Sequence, residues 1–93
     1  MKLEEEKLIE LVAEHSGVDR SEVSLVSRMQ ADLGMDSLDH VELAISIEEH
    51  LIANGAPKSL YIPDENFDRS VTVGDLLRNV NNFLNFSGGR FTA

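Results

Sequence analysis

Ser37 stands where a helix should begin, and its neighbours suit a phosphate ester on that hydroxyl better than they suit a nucleophile. The stretch Asp32-Leu33-Gly34-Met35-Asp36-Ser37-Leu38 leads into an apolar-periodic segment running from Leu38 to about Ile52. Asp36 is well placed to cap the first turn by accepting backbone N–H bonds. Asp39, three residues on, completes a D-x-x-D variant of the capping box, whose usual partner is Glu or Gln. Ser37 then takes the first helical position, at the positive end of the helix dipole. A phosphate there meets unpaired N–H groups and roughly half a unit of positive charge.

The remaining reactive side chains form no second constellation. His15, His40 and His50 are not spaced as metal ligands, and neither His40 nor His50 sits in an H-E-x-x-H pattern. His40 is expected at the surface or its boundary. The run from Asp32 to Asp39 lacks the ligand alternation of a calcium loop, so no metal site is assigned. With zero cysteines there is no disulfide scaffold, no thiolate zinc site and no thiol nucleophile. Carboxylates abound, but a helical chain of 93 residues is expected to offer no evident cleft for acid–base chemistry, and no catalytic residue is assigned.

The elements that must position Ser37 are helical. The first helix is predicted from Lys2 to His15, with Leu8, Leu11, Val12 and His15 on one arc and Gly17 at its end. A long connection follows from Val18 to Met35, in which Val18, Val23, Leu25, Met29 and Leu33 can anchor the chain and Ser21-Glu22 can begin a helical turn. On the second helix, about 100° per residue gathers Leu43, Ala44, Ile47 and Leu51 on one side. Leu38, Val41 and Ile45 gather on another, among Glu42, Glu48 and Glu49. The first stripe suits a core. The second is an apolar strip rimmed by carboxylates, open to a partner unless the third helix covers part of it.

Asn54-Gly55-Ala56-Pro57 ends that helix, and the segment to Tyr61 reads as a flexible loop. Pro63 opens a short helix over Asp64–Asp68 with Phe67 inward, and its register beyond Ser70-Val71 is open. Thr72 and Asp75 cap the last helix, whose inward stripe is Val73, Leu76, Leu77, Val80, Phe83 and Leu84. Asn79 to Asn85 read as helix surface, and residues 87–93 as a frayed, flexible tail. With few β-branched alternations, no strands are expected. The prediction is an all-α four-helix bundle, three helices long and one short, with a long loop between helices one and two.

Seventeen acidic residues against eight basic ones give a formal charge of -9, which opposes nucleic-acid binding. Between Arg28 and Lys58 there is no Lys or Arg, while Asp32, Asp36, Asp39, Glu42, Glu48 and Glu49 fall in that window. Such a run is either a solvated face or a surface that steers basic partners. No segment approaches the roughly 20 apolar residues of a membrane span. The acidic start Met1-Lys2-Leu3-Glu4-Glu5-Glu6 reads as neither signal nor transit peptide, so a cytoplasmic, monomeric protein is expected.

The motif Asp32 to Leu43, DLGMDSLDHVEL, resembles the attachment motif of acyl carrier proteins, D-L-G-x-D-S-L-D-x-V-E-L. The similarity extends from about Leu8 to Leu84 and includes Ile62-Pro63-Asp64-Glu65 and Thr72-Val73-Gly74-Asp75-Leu76. The resemblance implies a carrier domain over residues 1–86, with an acyl pocket between helices two and three. It implies covalent 4′-phosphopantetheine, derived from coenzyme A, on Ser37, with Asp36 helping to orient magnesium during loading. It also implies a recognition helix through Leu38, Asp39, Val41, Glu42, Ile45, Glu48 and Glu49. The expected partners are a phosphopantetheinyl transferase and acyl-handling synthases and transferases with basic surfaces; the cargo is an acyl chain. Since the chain has no sulfur nucleophile of its own, any thioester must sit on the arm. Fatty-acid biosynthesis is the first reading. A stand-alone carrier for a polyketide, nonribosomal peptide or specialised lipid pathway is the alternative, and an acidic helical adaptor without a prosthetic group is a more distant one. Relative to the family pattern, about seven residues are inserted between Leu51 and Ile62, near where the resemblance implies that the acyl chain enters.

Overall fold

The computed structural model describes residues 1–87; residues 88–93, which carry most of the expected flexible tail, lie outside the described residues. Four helices follow in order: α1 (Glu5–Ser16), α2 (Ser37–Ala53), α3 (Glu65–Asp68) and α4 (Val73–Ser87), with one turn of 3-10 helix at Arg20–Glu22. Among the described residues the sole β feature is an isolated antiparallel bridge between Arg28 and Thr72. The all-α bundle expected from the sequence is therefore the fold.

One core joins all four helices. It takes Leu8, Leu11 and Val12 from α1, Leu43, Ala44, Ile47 and Leu51 from α2, Phe67 from α3, and Val73, Leu76, Val80 and Leu84 from α4. The long connection contributes Val23, Met29, Leu33 and Met35, with Val18 and Leu25 packed partly buried against the cluster. Its length is thus compatible with a compact domain because every few residues a side chain is anchored inside. Gly17 closes α1 in the left-handed conformation, its N–H bonded to Ala13 O. Across the α1–α2 interface His15 Nε2 lies 2.8 Å from Ser46 Oγ, giving two half-buried polar groups each other as partners.

Four expectations need correction. The first helix starts at Glu5, not Lys2, because Leu3 is drawn into the core as extended chain. Asn81 holds it there: Leu3 N–H donates to Asn81 Oδ1 at 2.7 Å and Asn81 Nδ2 donates to Leu3 O at 3.1 Å. Asn81 is therefore not helix surface, and neither is Asn79, whose Nδ2 donates to Ser70 Oγ at 2.9 Å. The segment after α2 is pinned rather than loose. Ala56 and Leu60 are buried, Ala56 N–H donates to Leu51 O, and Leu60 N–H donates to Pro57 O. Ser87, assigned to the tail, is the last residue of α4.

Candidate functional site

The start of α2 is built by a turn, a cap and a buried methionine. Gly34 adopts φ +67°, a left-handed conformation that side chains resist, and this reverses the chain just before the helix. Met35 N–H then donates to Met29 O at 2.9 Å and the Met35 side chain enters the core, fixing where the next residues emerge. The capping box is complete: Asp39 N–H donates to Asp36 Oδ1 and Asp36 N–H donates to Asp39 Oδ2, both at 3.0 Å. The Asp39 N–H bond, first among several, holds the Asp36 carboxyl below the usual aspartate range. Asp36 is thus ionised beside Ser37 at neutral pH.

Ser37 is the first residue of α2 and is exposed; neither its hydroxyl nor its N–H has a hydrogen-bond partner among the described residues. Beside it opens a groove of about 830 Å3 between the 28–31 segment, the first turn of α2 and the α3 region. A smaller cavity of about 160 Å3, lined by Ser37, His40, Val41, Asp64, Phe67 and Asp68, adjoins the same serine. A cleft therefore exists where chain size and helicity alone suggested none, in the region where the resemblance places an acyl pocket. α3 is only one turn long, and it leaves the space over the first turn of α2 unfilled.

The buried and exposed stripes of α2 separate as the wheel predicts. Leu38, Val41 and Ile45 remain 65%, 49% and 50% exposed, so α3 does not cover the second stripe. Glu42 and Glu49 are exposed alongside it. Glu48 is different. Its Oε2 accepts the Ile62 N–H at 2.7 Å, tying the pinned segment back to α2. Sequence reasoning missed this bond, since nothing local links residues fourteen apart in a loop-closing pair.

α3 itself is held by Ser70, which is buried and donates its hydroxyl to Asn66 O while accepting from Asn79. That settles the open register: Ser70 and Phe67 face inward and Val71 faces out. His40 sits at the boundary as expected, its ring against Phe67 with centroids 6.1 Å apart. Among the described residues there is no cluster of three His, Cys, Asp or Glu side chains that could hold a metal ion, and no helix is long and apolar enough to cross a membrane.

Fold and site together define a small helical domain that presents one free hydroxyl at an open helix N-terminus beside a groove. The family model for the phosphopantetheine attachment site matches residues 6–80, and the chain belongs to that family. It is a carrier protein whose prosthetic group is covalently attached 4′-phosphopantetheine. The local structure fits such a group: an unbonded exposed hydroxyl, an open backbone amide and adjoining space are all present at Ser37.

Proposed function

We propose that Ser37 is the attachment residue, and that the protein is a discrete acyl carrier acting in cytoplasmic fatty-acid biosynthesis. The supporting observation is that Ser37 offers both a hydroxyl and an N–H without partners, at a helix start whose cap is otherwise complete. When bound, the arm supplies a terminal thiol that holds acyl groups as thioesters. The chain's own residues catalyse nothing in this reading. Asp36 and Asp39 fix the helix start, and the ionised Asp36 stands ready to help orient magnesium while a transferase loads Ser37. The groove beside Ser37 shelters part of the cargo.

Leu38, Val41 and Ile45, with Asp39, Glu42 and Glu49, form the docking strip for transferases and synthases with basic surfaces. Glu48 shares that strip, but its bond to Ile62 N–H gives it a structural task as well. Charge reversal at Glu42 and Glu49 is therefore the cleaner test: it should slow association at low salt by roughly tenfold, less as salt is added. Unchanged kinetics at low salt would remove the strip from the proposal.

The decisive experiment is intact mass before and after incubation with coenzyme A, magnesium and a broad-specificity phosphopantetheinyl transferase. Wild type should gain one phosphopantetheine and Ser37→Ala none. A gain on Ser37→Ala would move the attachment elsewhere. Comparing malonyl with aminoacyl donors on the loaded protein then separates the fatty-acid and polyketide readings, which share malonyl units, from a peptide pathway.

A further inference from the structure

Among the described residues, His40 Nε2 is the sole buried side-chain nitrogen or oxygen without a hydrogen-bond partner. Leaving such an atom unpaired is unfavourable, and native structures seldom do so without a use. Its location suggests the use. His40 lies one turn along α2 from Ser37, and both residues line the large groove and the small cavity. The His40 ring rests against Phe67 of α3, planes tilted by 37°, and in this arrangement solvent does not reach Nε2.

A chain inserted between α2 and α3 must part those two rings. It then meets a wall whose buried apolar side chains are Met29, Met35 and Phe67, and one nitrogen in want of a partner. The other polar groups there are already engaged or remain in water. Ser70 is bonded to Asn66 and Asn79, Arg28 to Asp32, and Asp36 to the α2 cap, while Asp64 and Asp68 are exposed. A saturated alkyl chain would leave Nε2 unpaired. A hydroxyl both donates and accepts, so it pairs with either imidazole tautomer. The arm separates Ser37 from the thioester, so the position of that hydroxyl follows from the path of the chain: cargo that enters between α2 and α3 past His40 brings the carbons next to the thioester against Nε2, and its tail lies deeper.

We propose that His40 is a specificity-determining residue that favours sheltering of β-hydroxyacyl cargo over saturated acyl cargo of equal length. The proposal rests on Ser37 as the attachment point, so loading is read first, by mass, before any cargo is compared. Wild-type protein is then charged with a β-hydroxyacyl chain or a saturated chain of the same medium length. Hydroxylamine cleavage of each, normalised to the matching free pantetheine thioester, reads sheltering; nitrogen NMR of the imidazole reads His40 directly.

The β-hydroxyacyl form should be cleaved roughly fivefold more slowly after normalisation, the size of one ordinary hydrogen bond. The Nε2 resonance should move in that form and stay in place in the saturated one. His40→Phe should abolish the preference, and His40→Gln, whose amide keeps a donor and an acceptor, should recover most of it. Equal normalised rates with an unmoved Nε2 resonance overturn the proposal, as does a preference that survives in His40→Phe. Failure of the initial mass gain at Ser37 overturns the attachment reading and this one with it, and is told apart because it precedes any cargo.

Discussion

α2 and α4 begin with the same device and use it to opposite ends. Each start is a reciprocal box, Asp36 with Asp39 and Thr72 with Asp75. At α4 the remaining amides are taken up by the protein: Val73 N–H donates to Ser27 O at 3.0 Å and Gly74 N–H to Leu25 O at 2.8 Å. The approach is so close that a Cβ on Gly74 would lie 3.0 Å from Leu25 O, which is why a glycine stands there. The first residue, Val73, is buried. At α2 no segment closes over the start among the described residues, and the first residue is an exposed serine whose N–H has no partner among them. The cap alone does not make a site. What distinguishes the α2 start is the missing neighbour, and a helix terminus left open in this way is a place where a phosphate can take up the dipole and the amide.

The largest expected effects separate the two ends completely. Ser37→Ala should lose all loading while its unfolding free energy from urea titration stays within about 0.5 kcal/mol of wild type, since the side chain is exposed and has no bond among the described residues. Leu76→Ala in the first turn of α4 should do the reverse. Leu76 is fully buried, and truncation there typically costs about 2–5 kcal/mol, a large share of the roughly 5–15 kcal/mol that holds a domain together. Its folded fraction should load at the wild-type rate. Loss of loading per folded molecule in Leu76→Ala would break the division of labour between the ends.

The caps give a smaller and finer contrast. Thr72→Ala removes the acceptor of the Asp75 N–H and should cost about 1 kcal/mol, with no change in loading per folded molecule. Asp36→Ala opens the matching box at α2 and should lower stability in the same direction. Its larger effect should be on the rate of loading, because it removes the ionised carboxylate next to Ser37 as well as the cap. Equal loading rates for the two variants would reduce Asp36 to a structural residue.

Much of this contrast is legible in the chain, and the illegible part has a physical reason. Both boxes, the Ser37 position, the buried stripe of α2 and the inward Phe67 follow from spacing, because capping and helical periodicity are local rules. The closure over α4 does not follow, since it is made by main-chain bonds from the 25–29 segment that no side chain announces. Leu3, Asn81, Glu48 and Ile62 escape for the same reason: each pairs a side chain with a distant backbone group. The groove beside Ser37 is a matter of what α3 fails to cover, and a one-turn helix gives the sequence almost no periodicity from which to judge its reach.

The smallest effect sharpens the comparison in acid. Asp75 accepts N–H bonds from Thr72 and Val71 and pairs with Arg78 at 2.8 Å, which brings its pKa from the ordinary 3.8 to about 2. Asp36 is held low mainly by the Asp39 N–H, with no cation bonded to it among the described residues. A depressed carboxyl contributes stability that is present in full above its unfolded value and is lost as pH falls through its folded value. For Asp75 that loss falls between 3.8 and about 2. Asp75→Asn should therefore melt below wild type at neutral pH and converge on it as pH falls toward about 2. Relief of self-repulsion as the other acidic groups protonate acts on both proteins alike and cancels in the difference. Carboxyl NMR titration should show both carboxyls protonating below the ordinary aspartate range, Asp75 at about 2. An Asp75 that titrates at the ordinary 3.8 would mean that the Thr72 and Val71 N–H bonds and the Arg78 pairing do not hold the α4 cap together in solution, and the Asp75→Asn difference should then vanish at neutral pH as well.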